Sequence, residues 1–163
     1  MKRGRGFTLI EMVVTTALVG LLALLSLPLY EVVATRAKES ELRQALRQIR
    51  DALDAYRDAS ARGLIGRDAG EPADPGASGY PPSLRALADG VQSAGNPDQP
   101  KLRFLRRIPR DPFAADPGQP AEDTWALRSY ASAPDAPQPG NDVYDVMSRS
   151  TRVGSNGIPY REW

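Results

Sequence analysis

Across residues 7–29 apolar side chains follow one another almost without a break, and the only ionisable group among those 23 positions is Glu11. A short basic leader ending at Gly6, with Lys2, Arg3 and Arg5, comes before them. Beyond Tyr30 the pattern changes from density to period. Leu42, Leu46, Ile49, Leu53 and Tyr56 recur in steps of four and three, which is one face of a helix. Arg43, Arg47, Arg50, Asp51, Asp54 and Asp58 fill the other faces. After Gly63 neither pattern persists.

These two patterns predict one helix from residue 7 to about 59, roughly 80 Å long at about 1.5 Å per residue. Its apolar part, about 35 Å, exceeds a hydrocarbon core of about 30 Å. A single segment in lipid satisfies its own backbone hydrogen bonds only as a helix. The leader's positive charges predict a cytoplasmic N-terminal end, with the body of the chain on the far side. A cleaved signal peptide fits less well, because the run is long and Pro28-Leu29-Tyr30-Glu31 closes it instead of a small-x-small site. Pro28 frees the carbonyl of Leu24 and predicts a kink. Along the second half, Glu39 with Arg43, Arg47 with Asp51 and Arg50 with Asp54 are spaced as i,i+4 surface pairs. The apolar stripe between them is expected to pack on the protein's own sheet.

The rest of the chain reads as loops, short helices and short strands, since most of its 15 Pro and 14 Gly lie there. Residues 63–82 and 92–100 are expected loops. Ser83, Leu84, Leu87 and Ala88 predict a short helix capped by Ser83 and ended by Gly90. Residues 102–108 are expected to make a helical turn leading into an extended stretch fixed by Pro109 and Pro112. Residues 125–131 and 143–148 alternate as strands around a loose hairpin loop. Trp125, Leu127 and Tyr130 are expected to pack on Val143, Val146 or the helix stripe. Ser155-Asn156-Gly157 reads as a turn, and Trp163 is expected to fold back onto the domain.

A carboxylate inside an oily helix is costly and calls for a partner, although an acid near a helix N-terminus also complements the dipole. The residues around it narrow the choice. Gly6-Phe7-Thr8-Leu9-Ile10-Glu11 resembles the signature of type IV prepilins and type II secretion pseudopilins. The resemblance implies cleavage after Gly6 by prepilin peptidase, an aspartyl protease, and N-methylation of the new terminus at Phe7. It implies that Glu11, the fifth mature residue, pairs with the terminal amine of a neighbouring subunit. A proline at the position of Pro28 is also common in this family, whose filament form is often unwound just before it. Ile108-Pro109-Arg110-Asp111-Pro112-Phe113 is similar to a leucine–proline–x–aspartate–proline–aromatic segment of the major, G-type pseudopilin, with Ile in place of Leu.

The implied fold is α+β and type IV pilin-like. A long N-terminal helix, half of it transmembrane, packs on a small antiparallel sheet, and the C-terminal half is loop-rich. The implied organisation is a leader at 1–6, a membrane and filament-core helix at 7–30, and a periplasmic domain at 31–163 that includes the amphipathic half of the helix to about 59.

Composition then trims the possibilities. The chain has no His and no Cys, which removes thiol chemistry, disulfides and the commonest acid–base group. Many type IV pilins close a C-terminal loop with a disulfide, so the lack of Cys leans toward a pseudopilin. With 21 basic and 20 acidic residues there is no basic excess to suggest nucleic acid. The basic cluster around 103–110 reads as a solvated face. No nucleophile–base pair or phosphate loop is present, so no enzyme activity is expected.

G-type pseudopilins commonly hold calcium in the loop after the last strands. Here residues 148–159 contain two arginines and no carboxylate, and calcium wants several oxygen ligands, usually including carboxylates. No metal or other cofactor is therefore expected. Asp142 and Asp145 are the remaining calcium candidates, and Arg149 or Arg152 is expected to pair with them in the ion's place.

The expected function is a structural subunit of a periplasmic pseudopilus of the type II secretion system. Its expected partners are further copies in a helical filament, minor pseudopilins, the inner-membrane assembly platform, prepilin peptidase and the membrane. The alternative within the class is a type IV pilus subunit, major or minor, for adhesion, motility or DNA uptake. From a different class comes a periplasmic binding module on an uncleaved anchor.

Overall fold

A computed structural model describes residues 6–66, 78–95 and 99–163, without the side chains of 24–29. The elements in order are α1 (Leu9–Ala61), α2 (Leu84–Asp89), a 3-10 turn at Ala121–Thr124, β1 (Trp125–Arg128), β2 (Asp145–Ser148) and a 3-10 turn at Tyr160–Glu162. This is the expected α+β architecture, a long N-terminal helix with a small antiparallel sheet. The chain resolves into two compact units, Met1–Lys38 and Glu39–Trp163.

In the first unit α1 exposes apolar side chains on every side. Leu9, Ile10, Val13, Leu18, Val19 and Leu22 are each more than half exposed. Among the described residues no helix is long and apolar enough to cross a membrane. The side chains of 24–29, at the C-terminal end of that apolar run, are not among them. The helix continues through Pro28 without a break, where a kink was expected.

In the second unit the same helix buries one stripe. Leu42, Leu46, Ile49, Leu53 and Tyr56 are all buried, and Ala45, Ala52 and Ala59 widen the stripe. They pack with Leu84 and Leu87 of α2 and with Leu105, Trp125, Val143, Val146 and Tyr160. Helix α1 ends two residues later than expected. Gly63, at φ 67°, donates its N–H to Ser60 O, and Leu64 donates to Ala59 O. That is the paired closure of a helix by a left-handed glycine.

The sheet pairs Trp125 with Ser148, Ala126 with Met147, Leu127 with Val146 and Arg128 with Asp145. Both strands are shorter than expected. Past Arg128 the ladder ends because Ser129 N–H turns to Gln138 O, 2.9 Å away. The Trp125 ring is fully buried, and its indole N–H donates to Pro109 O at 2.9 Å. Tyr130, expected in the core, is instead 57% exposed and meets Tyr80 and Tyr144 at the surface. The helical turn expected at 102–108 does not form. Leu102 pairs with Val91 in both directions, and Phe104 and Leu105 both donate to Leu87 O. Helix α2 matches its expected bounds and its end at Gly90, although Ser83 makes no side-chain cap.

The Pro-x-Asp-Pro-aromatic segment keys this unit together. Asp111 is buried. It accepts from Phe113 N–H at 2.8 Å and from the Ser148 hydroxyl at 2.6 Å. The first contact is an Asx turn, and the second ties the segment to β2.

Candidate functional site

The tip of α1 is built by Thr8 and Glu11. Thr8 lies just outside the helix, and its carbonyl accepts the first helical bond, from Met12 N–H at 3.2 Å. Its hydroxyl accepts from Glu11 N–H at 3.3 Å. The Glu11 carboxylate reaches back to Thr8 N–H at 3.5 Å. Threonine and glutamate three residues apart, bonded reciprocally, form a capping box that satisfies two of the orphan donors at a helix start. The helix therefore begins at Leu9, and Phe7 lies outside it, 75% exposed. At 3.5 Å the return bond is at the long limit for a hydrogen bond. Glu11 is exposed and makes no ion pair among the described residues. Further along, Thr15 and Thr16 return their hydroxyls to the backbone of the preceding turn, so no free polar hydroxyl is left in this turn to share with Glu11.

Residues 1–27 match the family model of the prokaryotic N-terminal methylation motif. The N-terminus is that of a type IV pilin-like precursor. A precursor of this kind is membrane-anchored and is processed by prepilin peptidase. No curated protein and no solved structure matches the chain. Gly6, Phe7, Thr8 and Glu11 all lie within the matched residues, as does nearly all of the apolar run.

A second polar constellation holds the C-terminal loop, and its key residue had a different expected role. Glu39 was expected in a surface pair with Arg43. That contact exists at 3.8 Å, but the Glu39 side chain is only 2% exposed. Its carboxylate accepts from Ser155 N–H at 2.6 Å, from the Ser155 hydroxyl and from the Tyr160 hydroxyl at 3.0 Å. Burial pushes the Glu39 carboxyl up. The Ser155 hydroxyl and amide, the Tyr160 hydroxyl and the Arg43 charge outweigh burial and hold the group below the ordinary carboxylate value of 4.5. Burial and the bond to Glu39 in turn push the Tyr160 phenol up.

Arg50 completes the clamp. It was expected to pair with Asp54 and instead donates to Asp145 at 2.8 Å and to the main-chain oxygen of Trp163 at 2.8 Å. Arg47 and Asp51 do not form the expected pair among the described residues. Trp163 does fold back, with the Arg43 guanidinium 4.3 Å above its ring and Tyr160 edge-on at 5.0 Å. Gly154 is required here, because any Cβ would collide with the Trp163 and Tyr160 rings.

The calcium candidates are already occupied. Asp145 faces Arg50 and accepts from Val146 N–H, while Asp142 accepts from the Ser78 hydroxyl and from Tyr130 N–H. An arginine does stand in an ion's place at Asp145, but it is Arg50. Arg149 donates to Trp125 O, and Arg152 lies over the Phe113 ring. The described residues contain no group of three acidic, His or Cys side chains arranged for a metal.

Glu39 was legible in the sequence. It continues the 42-46-49-53-56 stripe one step toward the N-terminus, and a carboxylate on a buried stripe must find donors. The capping box was legible as Thr8-x-x-Glu11.

Proposed function

We propose that this chain is a structural subunit of a helical filament, and more narrowly of the periplasmic pseudopilus of a type II secretion system. Prepilin peptidase cuts between Gly6 and Phe7, and the new Phe7 amine is methylated. The cut places that amine beside the first turn of α1. Glu11 then exchanges its long bond to Thr8 for the Phe7 ammonium of an adjoining copy. A short ion pair sheltered from water is stronger than a bond at the limit of reach, and an unpaired buried carboxylate would penalise a misplaced subunit. Repeating one such heterologous contact builds an open helix.

The observation that carries this reading is the exposure of α1 from Leu9 to Leu22. A helix apolar all round must be covered by lipid or by other helices. The inner membrane supplies the first cover, with the N-terminus cytoplasmic and the domain periplasmic, and the filament core supplies the second. The pseudopilus is favoured over a type IV pilus by the absence of Cys and by the Pro109-Arg110-Asp111-Pro112-Phe113 segment, which is built into the sheet through Asp111. The C-terminal loop is closed by Glu39 and Arg50, without calcium, and the chain has no enzymatic role.

The test is the mass of the mature N-terminus in membranes that contain the peptidase. Loss of residues 1–6 with the gain of one methyl group is the expected result. An intact leader would establish an uncleaved anchor instead. Loss of protein export on deleting the gene, with no extracellular fibres in the parent, is the outcome expected of a pseudopilus. Surface fibres with unaffected export would make the chain a type IV pilus subunit.

A further inference from the structure

The turn at Gly154–Gly157 holds a reactive pair of residues that the closure of the loop does not use. The chain has three asparagines, Asn96, Asn141 and Asn156. An asparagine amide can be attacked by the main-chain nitrogen of the residue that follows it, which closes a five-membered succinimide. Pro97 has no N–H to lose, and the Asp142 side chain crowds the approach, but Gly157 has no side chain at all. Asn156-Gly157 is therefore the asparagine pair most open to this reaction in the chain. Both residues are exposed, and the space around Gly157 is open, so water can reach the ring.

The folded loop restrains the reaction at several points. The attacking atom is the Gly157 nitrogen, and its N–H donates to Gly154 O at 2.9 Å. The Asn156 side-chain oxygen accepts from Ile158 N–H at 3.1 Å, which ties the amide to the nitrogen one residue beyond the attacking one. Gly154 N–H donates to Ile158 O at 2.9 Å. Gly157 lies at φ 79°, and among the described residues no residue other than glycine has a positive φ. These bonds and angles make a type I turn followed by a left-handed glycine. Such a turn holds ψ of Asn156 at about 0°, and succinimide closure needs that angle rotated far away. The turn is also fastened from outside. Ser155 donates both its N–H and its hydroxyl to the buried Glu39 carboxylate.

We propose that Asn156-Gly157 is a site of spontaneous succinimide formation, closed to reaction while Glu39 holds Ser155 and open once that hold is released. In the opened loop the Gly157 nitrogen forms a bond to Asn156 Cγ and the Cγ–Nδ2 bond breaks. Nδ2 leaves as ammonia, taking up the proton lost from Gly157 N–H. Water then opens the ring at either carbonyl, giving aspartate or isoaspartate, with no oxidant or reductant involved. Isoaspartate carries the main chain through Cγ and lengthens it by one atom. The turn can then no longer present Ser155 to Glu39 and bond Gly157 to Gly154 at once. The modification runs one way and marks molecules whose C-terminal loop has opened. None of this depends on filament assembly.

The full-length chain in detergent is incubated in mildly alkaline buffer, and peptide mass spectrometry follows the conversion of residue 156 and its isoaspartate content. The same chain unfolded in urea gives the rate of the open loop. Conversion in the folded parent should be many times slower, because only the locally opened fraction reacts. Glu39→Gln should speed it roughly tenfold, as expected for the loss of a buried acceptor. Leu87→Val in α2, outside the loop and its clamp, should leave it near the parent's rate. Ser155→Ala deletes one of the two bonds to Glu39 and should give a smaller increase, which decides the matter if Glu39→Gln does not fold. A folded parent that converts as fast as the chain in urea overturns the proposal. So does conversion no faster in Glu39→Gln and Ser155→Ala than in the parent. An increase as large with Leu87→Val would show that the loop opens only with the whole unit, and that also overturns it.

Discussion

Helix α1 is one element with two fates. Through residue 22 its apolar side chains face outward on all sides, while from residue 42 onward they are confined to a stripe that is almost wholly buried. Each half also carries one misplaced-looking glutamate. Glu39 sits on the buried stripe and is satisfied inside its own chain by Ser155 and Tyr160. Glu11 sits in the exposed half, and among the described residues its carboxylate meets only Thr8 N–H, at 3.5 Å. A carboxylate completed within the chain stabilises a domain. One left incomplete is available to a second copy.

The largest effects should separate the halves cleanly. Glu11→Ala is expected to abolish filament assembly while the melting temperature of the unit Glu39–Trp163 stays unchanged. Normal fibres from that variant, seen by electron microscopy, would remove the distinction between the two glutamates. Ile49→Ala should do the reverse at the level of folding. It empties a fully buried site and is expected to cost about 2–5 kcal/mol in urea denaturation, with correct leader cleavage retained.

Glu39→Gln comes next. It leaves a donor-bearing amide facing Ser155 and Tyr160, and a loss of about 1–3 kcal/mol is expected. The pH dependence follows from the same carboxylate. Its folded value lies below the ordinary 4.5, so its contribution is present above that value and is lost as pH falls through the lower folded value. The Tyr160 phenol, raised above 10.0, favours the folded state until pH climbs past its unfolded value. Stability should therefore fall at both ends, and Glu39→Gln should flatten the acid limb. An unchanged acid limb in the variant would show that Glu39 does not hold the loop.

Smaller still is Thr8→Ala. Loss of the cap is expected to cost about 1 kcal/mol, confined to the first turn of α1, and to appear as faster amide exchange at Glu11 with no change in the domain. Calcium should have the least effect of all. Adding the ion or a chelator is expected to leave the melting temperature unmoved, and a clear shift would mean that Asp142 or Asp145 leaves its present partners.

Much of this was readable before any coordinates. Density and period along α1 located the apolar half and the buried stripe, and Gly90 marked the end of α2. What was not readable depended on long-range partners. Arg50 is spaced to meet Asp54, yet it reaches Asp145, 95 positions away, because the partly buried end of the sheet offers an acid and a main-chain oxygen together. Tyr130 alternates correctly for the core, but the ladder ends at Arg128, so alternation no longer dictates its side. Residues 102–108 carry helical spacing, but the Leu87 and Val91 backbone groups compete for their N–H donors and win. Local pattern indicates which surface must be covered, and only the assembled chain shows by what.

The account turns on where the Glu11 carboxylate goes when subunits meet. A density map of the assembled filament, at a resolution that places side chains, measures this directly. It should show each Glu11 carboxylate within hydrogen-bond distance of the methylated Phe7 amine of an adjoining copy, with the bond to Thr8 released. Glu11 still folded back on Thr8 and facing lipid or water, with no neighbouring amine, would contradict it.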